Sequence, residues 1–449
     1  MSGAPTSRQP FGRTFAPARS AMDAAGAVRA LLERRMPAEG LLAVGNMRSY
    51  GDSCLNSGGA IGDMRGMAQI LSFDAVNGLL TAEAGAMLGD IIAIVAPHGW
   101  FPAVVPGTQH VTLGGAIAND VHGKNHHRRG TFGCHVVSFD LLRSDGNVVI
   151  CDSARNPDLF AATIGGMGLT GVILRATIRL MKVASPDVDE NVAPFGSLDA
   201  YFEMAEAADA ANEYAVAWVD QLAGGRNAGR GLLLTGNHAA EPVIGQAGGR
   251  HLSVPVQPPL NVLNRPFLKA FNFAYRTVRA RKGASLGGYR SFFFPLDGVA
   301  NWNRLYGPGG LHQHQSVIPH EAARVAIPAM LDAARKSGQS SFLTVLKRFG
   351  DVPSPGLMSF PRPGYTLTLD FSNRGSSTVA LLGELDRIAI DAGGAINPYK
   401  DARMPPQMFA ASFPQWRELE AMRDPAFMSD FWRRTAMELM GTPLRQAAE

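Results

Sequence analysis

Residues 106–127, Pro-Gly-Thr-Gln-His-Val-Thr-Leu-Gly-Gly-Ala-Ile-Ala-Asn-Asp-Val-His-Gly-Lys-Asn-His-His, constrain this chain more than any other stretch. Gly107, Gly114, Gly115 and Gly123 let backbone come close to a ligand. His110, Asn119, His122, Lys124, Asn125, His126 and His127 crowd imidazole, ammonium and amide groups into the same stretch. A core segment has no use for so many polar side chains, and a surface loop does not need so many glycines. The segment suits a surface for something large, flat and partly anionic.

At 449 residues the chain is too long for one ordinary core, so two domains are expected. A hydrophobic content of 46% and a charged content of 18% are those of a soluble globular protein. The net charge of +4 is too small to imply nucleic acid as a partner. Cys54, Cys134 and Cys151 have neither paired nor metal-ligand spacing, which fits a reducing compartment. The N-terminus lacks the apolar run of a signal peptide, and no run approaches a membrane span. These features point to a cytoplasmic protein, with peripheral contact at the inner face of a membrane left open.

Apolar periodicity predicts a helix over 22–35, a strand over Leu41–Val44 and a helix near Leu88–Ala96. Val136–Ile150 reads as a hairpin turning at Asp145-Gly146. Asn156-Pro157 opens a helix from a polar cap, and Val172–Met181 alternates as a strand. Hairpins with helices interspersed argue for an α+β fold rather than a doubly wound parallel sheet. A boundary is expected within Ala184–Val192. Beyond it, residues 226–290 carry many bases, Arg250 among them, against the single acid Glu241, with Phe267, Phe271, Phe273 and Tyr275 interleaved. This composition fits a mobile basic, aromatic insertion that meets a phosphate and lipid tail, or a plain polar insertion. Strands are expected at 291–295, 312–318, 342–349 and 365–371, and helices over 407–440.

Gly166-Met-Gly-Leu-Thr-Gly171 has the outline of a dinucleotide fingerprint, but a helix precedes it and a β-branched run follows, the reverse of what that fingerprint needs. It can still offer backbone N–H groups to a phosphate. With the loops at 45–52 and 106–115 it makes three glycine turns in one N-terminal domain. Three such turns suit one long ligand with a central diphosphate, and FAD is the candidate.

Gly45-Asn-Met-Arg-Ser-Tyr-Gly-Asp52, Pro106-Gly-Thr108, Gly114-Gly-Ala-Ile-Ala118, His122-Gly-Lys-Asn-His-His127 and Gly165-Gly-Met-Gly-Leu-Thr-Gly171 resemble the flavin domain of the vanillyl-alcohol-oxidase superfamily, the PCMH-type FAD-binding proteins. Within it, the chain is similar to the polyprenylphosphoryl-ribose 2'-oxidases, through Gln313-His-Gln315, Lys347, Asp370-Phe371 and Tyr399-Lys-Asp-Ala-Arg403. The resemblance implies an FAD-binding domain over 8–185 and an antiparallel-sheet substrate domain over 186–394. A C-terminal segment, 395–449, would complete the first domain. It also implies oxidation of a ribofuranosyl C2 hydroxyl with hydride passing to flavin N5. A separate NAD(P)H-dependent short-chain reductase would complete an epimerisation to the arabinose form.

The resemblance assigns cofactor contact to Arg48, Ser49, Tyr50, Gly51, Asp52, Pro106, Gly107, Thr108, Gly114, Gly115, Ala118, Asn119, His122, Gly123, Asn125, His127, Gly168, Gly171, Val172 and Lys400. It assigns the substrate to Lys124, Gln313, Gln315, Lys347 and Thr368, and catalysis to Lys400, His122 and Tyr50. Arg48 stands where some members attach FAD through a histidine, so the FAD is expected to be non-covalent. Met47 stands where a glycine is common. Thr368 stands where mycobacterial members carry a cysteine that nitroaromatic inhibitors modify. Gln313 and Gln315 have strand spacing and face one way, and a fixed cation at Lys400 would stabilise reduced flavin. His122 and His126 have i, i+4 spacing, but no third metal ligand accompanies them, so no metal is expected. His122 is the favoured proton acceptor. A sugar or aldonolactone oxidase using O2 and a non-catalytic flavin subunit are the alternatives.

Overall fold

The computed structural model describes residues 8–241 and 252–441, so Arg250 of the basic region lies outside the described residues. Two sheets make the N-terminal domain. Ala60–Asp63 runs parallel between Ala21–Asp23 and Leu41–Val44. The helix Ala24–Leu32 starts where the Asp23 carboxylate accepts from the Gly26 N–H at 2.8 Å. It buries Ala24, Ala27, Ala30 and Leu31.

The second sheet is antiparallel. Its long central strand, Val172–Lys182, lies between Leu79–Glu83 and Val136–Leu142, with Ile70–Asp74 and Val148–Asp152 outside them. The hairpin is as its Asp-Gly turn predicts. The helix Pro157–Thr163 also forms, but not through the expected cap. Asn156 sits at φ 53°, and its side chain donates to the Ile150 carbonyl instead.

An eight-stranded antiparallel sheet forms the second domain. Its order is Ala284–Gly287, Val188–Phe195, Gly231–His238, Tyr214–Val219, Val345–Phe349, Gly364–Ser372, Leu311–Ile318 and Ala395–Ile396. Along 364–372, side chains alternate between two faces. Leu367, Leu369 and Phe371 join the largest apolar core with the helices Leu198–Ala211, His320–Lys336 and Ser376–Asp391. Thr366, Thr368 and Asp370 occupy the opposite face.

Three expectations need correction. Residues 226–290 are not one insertion. Gly231–His238 pairs along its whole length with Val188–Phe195 and is interior to the sheet, and Ala284–Gly287 is its edge strand. The basic composition had concealed the apolar run Gly-Leu-Leu-Leu. Residues 291–295 are not a strand, because Tyr289–Phe293 is helical and packs Phe292 and Phe293 inward. The junction is shorter than Ala184–Val192, since the sheet has begun by Val188.

The C-terminal helices return to the first domain. The Leu41 N–H donates to the Ala426 carbonyl at 2.8 Å, and Phe427 joins the Leu41 core. Phe409, Trp416, Phe431 and Trp432 share a core with Met167 and Leu169 from the first domain. No helix of the described residues is long and apolar enough to cross a membrane.

Candidate active site

The three glycine turns meet. Gly45, Thr112, Gly114, Gly115, Gly168 and Gly171 line one cavity between the two N-terminal sheets. Some glycines serve protein packing: a Cβ at Gly45 would lie 2.1 Å from Thr112 Oγ1, and one at Gly114 2.9 Å from Ala84 Cβ. Gly107 is different, since a Cβ there meets no protein atom within 4 Å. Gly168 sits at φ 74° and Gly171 at φ 144°. Met47 is held at φ 48° with its side chain packed on Leu42, Val44 and Cys54. That left-handed backbone is why glycine suits this position. The Arg48 Nε is buried without a partner, and burial lowers the guanidinium pKa while Asp297 opposes the shift.

Two further segments bring a second constellation together. Leu311–Ile318 supplies Gln313 and Gln315, and the Asn397-Pro398-Tyr399-Lys400 turn supplies Lys400. Asn397 Nδ2 donates to Gln315 Oε1 at 2.8 Å, while Asn397 Oδ1 accepts from the Tyr399 N–H at 3.0 Å. The Tyr50 N–H donates to the Tyr399 carbonyl at 3.1 Å. Lys400 Nζ then lies 4.3 Å from the Tyr50 ring centroid. The turn is clamped from beneath. Arg434 binds Asp52 through two nitrogens, at 2.6 and 3.0 Å, and Asp401 at 2.6 Å. Arg403 pairs with Asp386 at 2.7 Å, and Asp386 also meets His314 at 3.1 Å.

Gln315 gives its carbonyl to Asn397, so its amino group faces Thr366 Oγ1 at 3.1 Å and His122 Nε2 at 3.2 Å. His122 Nε2 is therefore the acceptor, which leaves the ring proton on Nδ1. Burial first, then Lys347, His126 and Lys400, hold the His122 pKa well below the usual histidine range. Asp370, which the resemblance marks without a role, is at the centre. Its Oδ1 accepts from Gln313 Nε2 at 2.5 Å, and its Oδ2 is buried without a partner. Burial raises its carboxyl to about 7, against the pull of Gln313 and Lys400. The signal was there: 366, 368 and 370 are the polar positions of an alternating strand.

Burial lowers Lys400 to about 8, with Asp370 opposing. Burial, then Lys124 and Lys400, lower Lys347 to about 7. Lys347 stands opposite Thr366 on the neighbouring strand. Thr368 stands opposite Gln315. Lys124 turns toward the second domain, donating to the Phe292 carbonyl with Nζ 4.3 Å from the Phe292 ring. Burial lowers it to about 8.

Several residues expected at the cofactor are committed elsewhere. His127 Nε2 bonds the Asn212 carbonyl at 3.1 Å and Nδ1 lies 3.5 Å from Asp209. Asn125 spends its amino group on the Ala103 carbonyl and Glu213. The Asp52 carboxylate belongs to Arg434, and Val172 packs its side chain into the core. A Cβ at Gly51 would lie 1.7 Å from the Asp401 carbonyl, so this glycine admits the Lys400 turn. Thr108 Oγ1 donates to Asp297 at 2.7 Å, tying the two domains. These side chains shape the site from behind because the loops that carry them also join the domains.

A sequence profile described as an FAD binding domain matches residues 14–152. Decaprenylphosphoryl-beta-D-ribose oxidase of Mycolicibacterium smegmatis is 35% identical over 414 residues, 88% of this chain and 89% of that protein. This chain belongs to the decaprenylphosphoryl-β-D-ribose oxidase family. An uncharacterized protein of Streptomyces coelicolor is 35% identical over 77% of this chain and 98% of its own length. L-gulonolactone oxidase of Mus musculus is 28% identical over only 36% of this chain and 38% of its own. Members of the oxidase family are FAD-dependent oxidoreductases, and so is this chain. The residues present fit that cofactor: a neutral glycine cradle, an open Gly107 position and an orphan Arg48 nitrogen.

Proposed function

We propose that this chain oxidises the C2 hydroxyl of a polyprenylphosphoryl-β-D-ribofuranose to the 2-keto sugar. The observation that carries the reading is the buried Asp370–Gln313 pair with Lys400 stacked on Tyr50, in a chain that also carries the glycine cradle. The named substrate of the M. smegmatis relative supports the choice of sugar. Bound FAD supplies the hydride acceptor. Lys400, still largely protonated near neutral pH, holds positive charge where the cofactor gains negative charge. Asp370 takes the hydroxyl proton on its uncommitted Oδ2, with a pKa matched to neutral pH. His122 orients the sugar, because its Nε2 lone pair is engaged by Gln315. Gln313 holds the Asp370 carboxylate in one rotamer, and Gln315 holds the imidazole.

Burial, then Lys124 and Lys400, lower the Lys347 pKa, and such crowded positive charge suits a phosphodiester beyond the sugar. Oxidation at C2 leaves a ketone, so an epimerising sequence needs a reductant. An NAD(P)H-dependent short-chain reductase acting on the other face is the fitting partner. Nicotinamide supply puts that pair at the inner face of the membrane. The test is anaerobic bleaching of the flavin absorbance by polyprenylphosphoryl ribose, against free aldoses and lactones. Bleaching by free aldoses or lactones alone would sink the reading.

A further inference from the structure

The helix Arg265–Ala280 is held in one orientation by its inner face. Leu268 and Asn272 are buried, and Asn272 Nδ2 donates to Asp220 at 2.8 Å. Phe271 packs on Phe342 with centroids 5.3 Å apart, and Tyr275 packs edge-on against Trp218 at 5.1 Å. Arg279 and Lys282 both bind Glu190, at 2.6 and 2.8 Å. With those positions inward, the helical period turns Pro266, Ala270, Phe273, Ala274 and Thr277 outward.

That outer face is apolar where a water-facing helix is expected to be polar. Phe273 on this face is 67% exposed, and Val278 at 67% and Phe267 at 44% extend the apolar surface along its flank on the Phe271 side. The segment leading into the helix adds Val256 at 72% and Leu260 at 75%. Residues 252–290 contain no acid. Lys269 is exposed at the edge of the apolar face with Arg265 and Arg276 on the same flank, and exposed Arg281 caps its C-terminal end.

We propose that the outer face of this helix is a docking surface for an anionic phospholipid bilayer, on which the helix lies parallel to the membrane plane with Phe267, Phe273 and Val278 among the acyl chains. An apolar face rimmed by bases fits that interface. A second copy of this chain fits it poorly, since a two-fold contact would set the same bases against each other with no acid between them. The surface is one layer from the site. Leu268, on the inner side, belongs to the same apolar cluster as Tyr50 and Trp302. A lipid-linked sugar could then reach Lys400 while its chain stays in the bilayer. That purpose rests on the substrate proposed above, but the docking does not.

Full-length, FAD-loaded protein is sedimented with phosphatidylcholine vesicles, with and without phosphatidylglycerol. Binding is expected only with phosphatidylglycerol, and to weaken with salt. Phe273→Ser with Val278→Ser is expected to weaken it about tenfold, as is Lys269→Glu with Arg281→Glu. Both pairs should keep flavin content and the bleaching rate with a short-chain phosphoryl ribose. Absence of vesicle binding, or binding that ignores both pairs of substitutions, would overturn the proposal. So would a dimer in light scattering that Phe273→Ser dissolves. Loss of bleaching with every ribosyl substrate in the unsubstituted protein would count against the function instead, and leaves the vesicle measurement standing.

Discussion

The glycine cradle and the polar sheet face are built on opposite plans. The cradle works by leaving side chains out: Gly45, Gly114, Gly115, Gly168 and Gly171 line it, and no lining residue carries a charge. The sheet face works by crowding side chains in. Asp370, Lys347 and Lys400 are ionisable groups removed from water, each with its pKa moved toward neutrality. Binding and chemistry are thus separable here. Substitutions on the sheet face should spare FAD and cost rate, and substitutions in the cradle should do the reverse.

The largest expected effect breaks the comparison if it fails. Lys400→Met removes the cation stacked on Tyr50 and should slow anaerobic flavin reduction by about 10²–10³-fold, the usual cost of losing a preorganised charge partner. FAD content should be unchanged. A variant that loses FAD would make Lys400 part of the cradle.

Asp370→Asn comes next, with a loss of about 10²-fold or more expected for a lost proton acceptor. The pH dependence carries the sign. Burial raises the carboxyl to about 7, so it is protonated below and charged above that value. Flavin reduction should rise with pH through about 7 and fall above about 8, where Lys400 loses its proton. The variant should lack the rising limb. Stability moves the other way. Folding holds a proton on Asp370 from about pH 4, where an unfolded aspartate releases it, up to about 7, so this group makes stability decline with rising pH across that window. Asn removes the decline, so the inactive variant should melt higher than the parent near pH 8. A retained rising limb would take the base role away from Asp370.

The two regions also differ in how far the sequence announces them. Close backbone approach needs glycine in short local motifs, so the cradle could be read from 45–52, 106–115 and 166–171 alone. The sheet face is assembled from 313–315, 347, 366–370 and 397–400, and only the fold brings these together. Gln313 and Gln315 were legible because a two-residue period fixes their common face. Asp370 was not, because a carboxylate in a strand reads as solvated until its neighbours are known. The side-chain partners of His127, Asn125 and Asp52 were hidden for a related reason. They stand in cofactor motifs, but their side chains turn outward to Asn212, Glu213 and Arg434, contacts that lie far away in sequence. The strand Gly231–His238 was hidden by the bases around it, which belong to the turns and the helix that flank it.

Gly107→Ala tests the cradle alone. A methyl group there touches no protein atom within 4 Å, so folding and Tm should be unaffected. FAD affinity should fall about tenfold, the scale of one lost close contact at about 1.4 kcal/mol. Gly45→Ala differs, since its methyl would meet Thr112 Oγ1 at 2.1 Å and the fold itself must give way. Equal behaviour of the two variants, read by flavin fluorescence release and melting, would mean that the Gly107 loop is not part of the cradle.

The smallest effect belongs to Thr368, which lies between the two regions, on the sheet face opposite Gln315. Its hydroxyl does not ionise in the working pH range and lies outside the Asp370–Gln313 pair. Thr368→Val should therefore change flavin reduction by no more than about threefold, as expected for a side chain that takes no part in proton transfer. Thiol chemistry sharpens the point. A hydroxyl is not nucleophilic enough to form the adduct that a cysteine forms with nitroaromatic inhibitors, so such compounds should bind the parent reversibly. Thr368→Cys should gain the adduct in intact-mass spectra while keeping a near-parental bleaching rate. A stable adduct on the parent at this position, or a large rate loss in Thr368→Val, would move Thr368 into the reacting cluster and leave the division between binding and chemistry less clean than the geometry draws it.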